Sequence, residues 1–453
     1  LTLTDSVSAA AIFNEARALI DARRYRIALR RLKAEAPPGP ERDRLLGLAH
    51  LGHRDPATAL EHFRRVLADR PGDADSLIHL GQAHQAANAP FPAVEWFERA
   101  ARLAPGHPGI RATLAGAYRR DARYHDALAV TGAALAAGET GIDLLFEAAT
   151  SEACLGRDAE ALARFKALLA DDPEHAAGWF GSHAQAMHGH GPDEAIRRLR
   201  RATRCGGANG KYWAYLCATL LLLGRHEEAR AVERAHIDPA PKHRPLVDGA
   251  TALLPHLAPD LRLFGSSGRL LRHALAAATV PGLVLEFGVR RGTSLDHLAE
   301  AAGQEVHGFD SFEGLPEGWV NAPRGVLTTG RALPPVRANA RLHVGWFEDS
   351  LPPFLAAHGG PLRFVNVDSD IYASARTVLT ALADRIVPGS VLVFDEYIGN
   401  RSWREDEYRA FQEFAAEHGV AYEYFAASPY TKQVAVRILS VGDGRPSDAP
   451  APR

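Results

Sequence analysis

The first half of the chain repeats one pattern of small and large apolar positions. Alanines stand at Ala59, Ala93, Ala127, Ala161, Ala195 and Ala229, each 34 residues after the last. Four residues beyond most of them comes a large apolar side chain: Phe63, Phe97, Phe165 and Leu199. Prolines close several units at Pro71, Pro105 and Pro173, and Leu77-x-x-Leu80-Gly81 and Trp213-x-x-Leu216 stand at the matching upstream phase. A less regular unit around Ala28 precedes the series. Small residues at such a period predict paired helices that cross closely, each pair stopped by its proline. In the second half the pattern changes to short apolar runs separated by helical stretches. Strands are expected at Leu283 to Leu285, Val306 to Phe309, Leu342 to Trp346, Leu362 to Val367, Ser390 to Phe394, Tyr422 to Phe425 and Gln433 to Leu439. Helices are expected at Gly268 to Ala278, from Thr293 and Ser294 onward, and at Ser350 to His358, Ala373 to Ile386 and Glu405 to Glu417. Five parallel-type strands and a closing antiparallel pair predict a seven-stranded α/β sheet.

The 34-residue period resembles the tetratricopeptide repeat. No such unit buries its apolar face alone, so neighbours stack into an α-helical solenoid with a concave surface. The resemblance implies partner binding or self-association; the bland alternative is an array that only supports or dimerises the second domain. Trp179, Trp213, His84, Met187 and the three cysteines read as packing residues. Arg197-Arg198 and Arg200-Arg201 read as solvated helix faces, with an acidic peptide ligand as the sharper alternative.

These patterns divide the chain into repeats over 1–236, a linker over 237–259, an α/β domain over 260–440 and a disordered tail over 441–453. The linker expectation rests on Pro239, Pro241, Pro245, Pro255 and Pro259, which leave room for at most a short helix. The tail is rich in Pro, Gly, Ser and Asp.

Composition narrows the setting. A net charge of −2 gives no basic field for nucleic acid or an anionic membrane. Cys154, Cys205 and Cys217 are odd in number and lack a C-x-x-C, which disfavours a disulfide scaffold or zinc site. No apolar run is long enough to span a membrane, and no start of signal-peptide type is visible. A reducing cytoplasm is the expected location.

The chemistry concentrates at Leu283–Asp310, where a buried strand ends at Glu286, a glycine turn runs from Gly288 to Gly292, a helix follows, and a second strand ends in Asp310. This is the layout of a nucleotide-type site at the carboxyl edge of a doubly wound sheet. The glycines allow close backbone approach, and the acid can hold two ribose hydroxyls. The spacing is neither G-x-G-x-x-G nor a phosphate loop, so a dinucleotide or a nucleoside triphosphate is not expected.

Three motifs in order then carry a resemblance. Glu286-Phe287-Gly288-Val289-Arg290-Arg291-Gly292, Asp310-Ser311-Phe312-Glu313-Gly314-Leu315-Pro316 and Gly345-Trp346-Phe347-Glu348-Asp349-Ser350-Leu351-Pro352 resemble signatures of the macrocin and mycinose O-methyltransferase family. The resemblance covers about Phe264 to Leu439 and implies a Rossmann-like class I methyltransferase fold using S-adenosylmethionine. It implies that Gly288 and Gly292 would lie against the methionine part of the cofactor, with Glu286 near its amino group. Thr293 and Ser294 would join them from the helix start. Asp310 would accept the ribose hydroxyls, Ser311 and Phe312 would lie beside the adenosine, and Trp346 and Phe347 would flank the adenine. For Phe312 and Trp346 ordinary core packing is the alternative.

A second constellation follows the next two strands, where Asp368 and then Asp395-Glu396 stand at neighbouring strand ends, about 4.8 Å apart. Carboxylates at a sheet edge suit Mg²⁺. The resemblance implies a divalent metal on Asp368, Asp395 and Glu396 holding two vicinal oxygens of a sugar, although the family has Asp-Asp where this chain has Asp395-Glu396. The alternative has Asp395 and Glu396 bonded to loop backbone and acceptor directly. The reaction would be in-line methyl transfer to a hydroxyl, with Asp368 as first candidate for the base. Asp370 reads as a helix N-cap, His297, His307 and His343 as structural, and Tyr397, Asn400, Trp403 and Arg404 as an acceptor lid. The expected activity is O-methylation of a sugar or glycosylated metabolite. The alternatives are another small-molecule or protein acceptor, and a repeat scaffold with a vestigial methyltransferase domain.

Overall fold

The computed structural model describes residues 3–442, with side chains from residue 9 onward. Apart from its first two positions, the expected disordered tail lies outside the described residues. The chain forms two compact units, Leu1–Glu147 with Leu315–Thr328, and Ala148–Gly314 with Thr329–Arg453. The division falls inside the repeat array, not at its end near 236.

In the first unit, helices follow one another in pairs: Pro40–Gly52 with Pro56–Asp69, Ala74–Ala86 with Pro90–Leu103, and Ile110–Arg120 with Tyr124–Ala136. Ala59, Ala93 and Ala127 are completely buried at the crossings. The aromatic four residues later explains the glycine of the preceding helix. A Cβ on Gly47 would stand 2.6 Å from the Phe63 ring, and one on Gly81 would stand 2.7 Å from Phe97. Each buried phenylalanine contributes about 1.5–3 kcal/mol, which only this close crossing permits. Asp55 and Asp73 start their helices by accepting from the backbone N–H of Thr58 and Ser76 at 3.2 and 3.1 Å.

The second unit continues the series with Asp158–Asp171, Ala176–Gly189, Pro192–Arg204, Lys211–Leu222 and His226–Val232. Ala161, Ala195 and Ala229 are again fully buried. The arginines behave as helix-face residues: Arg197 pairs with Glu194, Arg200 with Glu228 and Arg201 with Glu174. Cys154, Cys205 and Cys217 are free thiols. No helix among the described residues is long and apolar enough to cross a membrane.

The proline-rich stretch expected as a linker is ordered structure. Arg244–Leu253 is a helix that buries Leu246, Val247, Ala250 and Leu253, and Leu257–Leu263 is a strand. Proline at the first turn of a helix or on an edge strand removes no needed hydrogen bond, which is how Pro245 and Pro259 are accommodated.

The sheet has eight strands: β1 Leu257–Leu263, β2 Leu283–Phe287, β3 Val306–Asp310, β4 Ala340–Val344, β5 Leu362–Val367, β6 Val391–Phe394, β7 Ala421–Ser428 and β8 Gln433–Ser440. Their order is β1-β7-β8-β6-β5-β2-β3-β4, with β8 antiparallel to both neighbours. Seven of them are the expected set. The eighth is β1, added parallel to β7 at the edge out of the expected linker. Nearly continuous apolar runs in β2, β5 and β6 are buried on both faces, as parallel strands covered by helices must be.

The repeat helices of this unit share its core. Phe180, Leu216 and Leu220 belong to the same buried cluster as Leu246, Phe394, Tyr397 and Ile398. A Cβ on Gly265 would fall 1.8 Å from the Ala184 carbonyl oxygen, and the buried Asp158 is ion-paired with Arg269.

Candidate active site

Four strand ends align into one edge. The ladder continues one residue past each strand: Asp395 N–H donates to Val367 O at 3.0 Å, Asp368 to Phe287 O at 2.8 Å, Gly288 to Phe309 O at 2.9 Å, and Gly345 to Asp310 O at 3.0 Å. Asp395, Asp368, Gly288 and Asp310 therefore stand side by side at the carboxyl ends of β6, β5, β2 and β3. β2 and β5 run side by side but their connections leave in opposite directions, which makes this the switch point where doubly wound sheets bind ligands.

Gly288 has φ +96°, and a Cβ there would meet the Asp368 carbonyl oxygen at 1.8 Å. Its absent side chain serves the approach of the neighbouring strand first, before any cofactor. Gly292, at φ +80°, precedes the helix Thr293–Ala302 and faces Pro334. Thr293 and Ser294 occupy that helix's first positions and are half-buried. Asp310 is tied to the turn from both sides: one oxygen accepts from Arg290 N–H at 2.7 Å, the other from Phe312 N–H at 2.6 Å. Arg290 and Phe312 both hold positive φ, 46° and 59°, strain typical of ligand-binding turns.

Glu286 is fully buried, and Asn366 donates to one of its oxygens at 3.0 Å while the other has no hydrogen-bond partner. Burial pushes it up to about 7, against the pull of Ser294 and Asn366. Ser311 Oγ accepts from the Glu313 backbone at 3.2 Å. The Phe312 ring lies in the core with Val289 and Leu295, so its side chain follows the packing alternative and only its backbone reaches the turn. Trp346, half-buried, precedes the helix Phe347–Ala357, and Phe347 meets Phe287 edge-on at 5.2 Å.

The acidic group is larger than the sequence suggested. Asp368 is raised well above the usual carboxylate range, by burial first and then by Asp395, Asp370, Glu407 and Glu286. Asp370 is raised by burial and by Glu396, and Asp395 reaches about 7 for the same two reasons. Asp370 is not an N-cap: the helix Tyr372–Leu382 starts after Ile371, and Asp370 sits at φ +64°. Its N–H, with that of Ser369, is held by Glu407 at 3.0 and 2.9 Å. Glu407 is fully buried and raised to about 8, and one of its oxygens has no partner. Sequence reading missed Glu407, although it occupies the apolar stripe Glu407, Ala410, Phe411, Phe414 of its helix. A charged residue in such a stripe is the signal.

Glu396 does not join this group as a metal ligand. Lys432 donates to its carboxylate at 2.9 Å and Asn400 at 2.6 Å, while Lys432 also bonds Asn400 Oδ1 at 2.6 Å. Gln433 occupies one oxygen of Asp395. Among the described residues no group of three or more His, Cys, Asp or Glu side chains is placed to hold a metal ion. The expected Mg²⁺ set of Asp368, Asp395 and Glu396 does not fit, because an ammonium already neutralises the glutamate.

Half of the expected lid is core. Tyr397 is fully buried with its hydroxyl 3.0 Å from that of Tyr424, Trp403 is buried, and Arg404 lies 3.7 Å from Asp248. Only Asn400 stays at the site. His297 packs beside Arg272 at 2.9 Å, and His307 and His343 are 3.2 Å apart with both rings against Phe354.

Comparison with known proteins agrees with this architecture. A methyltransferase-domain family matches residues 285–397, and a tetratricopeptide-repeat family matches 44–108 and 186–244. The chain combines tetratricopeptide repeats with a methyltransferase domain. A curated relative from Streptomyces olivaceus, 8-demethyl-8-(2,3-dimethoxy-alpha-L-rhamnosyl)-tetracenomycin-C 4'-O-methyltransferase, is 33% identical over 26% of this chain and 54% of its own length. The chain thus spans about half the length of that relative. Among solved structures, the O-methyltransferase NovP is similar over 38% of this chain and 81% of its own, at 23% identity and a TM-score of 0.30. A thermophilic tetratricopeptide protein of Thermus thermophilus is similar over 40% of this chain and 100% of its own, at 20% identity and a TM-score of 0.36.

Proposed function

We propose that this protein is an S-adenosylmethionine-dependent O-methyltransferase acting on a hydroxyl of a glycosylated metabolite. The observation that carries the reading is the row of strand ends, where Asp310 braces the glycine turn and buried acids crowd beside it with raised pKa values. Such a group favours a cationic ligand, because a positive charge offsets both the burial and the mutual repulsion that raise these acids. The bound donor supplies an electrophilic methyl on a sulfonium. The unpartnered oxygen of Glu286 suits its amino group, and the free lone pairs of Asp310 suit its ribose hydroxyls. Gly292, at φ +80°, lets the turn pass close against Pro334 and leads into Thr293 and Ser294. Trp346 and Phe347 would border the base.

Asp368 is the proposed base. Its raised pKa matches it to a hydroxyl proton better than an ordinary aspartate would be. Orienting the acceptor in line with the methyl does the rest. Mg²⁺ forms no part of the proposal, since Lys432 and Asn400 engage Glu396, and activity retained in EDTA is expected. The sugar acceptor follows the relative from Streptomyces olivaceus, whose name places a methyl on a rhamnosyl tetracenomycin. The repeats of the first unit are proposed to bind a protein partner or a second copy. Calorimetry with S-adenosylmethionine and S-adenosylhomocysteine is the test, and absence of binding to both would sink the reading.

A further inference from the structure

The helix Lys211–Leu222 belongs to the repeats, yet it stands beside the acceptor end of the site. Its Phe180 neighbour is the hub: Phe180 lies 4.9 Å from Tyr215 and 5.6 Å from Tyr430, ring to ring, and Lys211 Nζ lies 5.3 Å from the Phe180 ring centre. Tyr430 is two residues before Lys432, the cation that holds Glu396 at 2.9 Å directly after Asp395. Tyr215 is near enough to Lys432 and Glu396 for both charges to act on its hydroxyl, and Lys211 is near enough to feel Lys432.

Two features mark a binding surface. Tyr215 and Tyr430 are half-buried and Lys211 is exposed, so the aromatic cluster is not sealed. Among the described residues the Tyr215 hydroxyl makes no hydrogen bond and Lys211 has no ion-pair partner, whereas Lys432 and Glu396 satisfy each other. An aromatic cluster, a hydroxyl without a hydrogen bond and an ammonium held only over ring faces, beside the Lys432–Glu396 pair, are what a pyranose ring needs. Its C–H face packs on the ring and its hydroxyls meet the polar tips.

We propose that Tyr215 and Lys211, carried by the repeat array, form the wall of the acceptor subsite on which the sugar ring of the acceptor stacks. This rests on the O-methyltransferase reading. It makes the last repeats part of the catalytic site, with acceptor choice written in a helix outside the methyltransferase motifs.

The full chain, with and without saturating S-adenosylhomocysteine, is titrated with 4-nitrophenyl α-L-rhamnoside and followed by calorimetry and saturation-transfer NMR. Tyr215→Ala should weaken probe binding at least about tenfold, and Tyr215→Phe and Lys211→Met about threefold each, the scale of one lost hydrogen bond. Affinity for S-adenosylhomocysteine and the circular-dichroism melting point should stay as in the natural chain for Tyr215→Phe and Lys211→Met. Probe binding unchanged in Tyr215→Ala, or no probe binding by the natural chain, overturns the wall. Failure of the donor analogue alone, with Tyr215-dependent probe binding retained, overturns the methyltransferase reading and leaves the sugar wall standing.

Discussion

The Asp310 carboxylate accepts the backbone N–H of Arg290 at 2.7 Å, tying the end of β3 to the glycine turn after β2. One side chain thus shapes the turn at which the donor is proposed to bind. Asp310→Asn would place an NH₂ against one of two backbone N–H groups, Arg290 or Phe312. We expect S-adenosylhomocysteine affinity to fall at least about tenfold, with a stability loss of about 1–3 kcal/mol. Calorimetry and thermal melting check both parts; an affinity within twofold of the natural chain would remove Asp310 from the donor site.

Gly288→Ala tests the backbone reason for that glycine. The new Cβ would lie 1.8 Å from the Asp368 carbonyl oxygen at φ +96°. Strain and clash together should cost about 3 kcal/mol or more and disrupt the β2–β5 edge. Thermal melting reads the loss, and a near-natural melting point would contradict the close approach.

Glu407 gives a pH dependence with a definite sign. Its folded pKa is about 8 against an ordinary value of 4.5, so the folded state holds a proton that the unfolded chain releases. Its contribution is fully present below the unfolded value and is lost as pH rises through the folded one. Stability without ligand should fall between about pH 5 and 8 by on the order of 1 kcal/mol per unit from this group. Glu407→Gln keeps an oxygen for Ser369 and Asp370 while removing the charge, so it should flatten the slope and raise stability at pH 8. Denaturant titrations across pH decide it.

Asp368→Asn separates chemistry from binding. Methyl transfer should drop about 10²–10⁴-fold while S-adenosylhomocysteine affinity holds within a few-fold. In the natural chain, burial and Asp395 raise Asp368, so the rate should climb as pH rises and the base form appears. A variant with natural turnover would assign the proton to another group.

Truncation tests the shared core. A chain starting at Ala148 keeps Phe180, Leu216 and Leu220 against Ile398 and Tyr397, whereas one starting at 237 exposes that face. The longer form should melt cooperatively, and the shorter one should aggregate. A soluble, cooperatively melting 237–453 fragment would restore the boundary expected from the sequence.

What the sequence determined by itself was everything encoded in local period and spacing. The alanines at 34-residue intervals and the aromatics four positions later specify helix pairs because close crossing demands a small residue opposite a large one. The strand runs and the acids at or beside their ends, Glu286, Asp310, Asp368 and Asp395, were legible because strands of one parallel sheet end at one edge. Tertiary structure alone decided the partners. Lys432 reaches Glu396 across 36 residues and displaces the expected metal set, and Glu407 reaches Ser369 and Asp370 from a helix 37 or more residues further along the chain. Proline spacing suggested a linker where helix 244–253 and β1 are ordered, because prolines at a helix start and on an edge strand break nothing. Tyr397 and Trp403 follow Asp395 and Glu396 in sequence yet point into the core, since what buries them comes from β7 and the helix Glu407–Glu417. Charge pairing and burial between distant segments depend on how elements meet, and no local pattern records that.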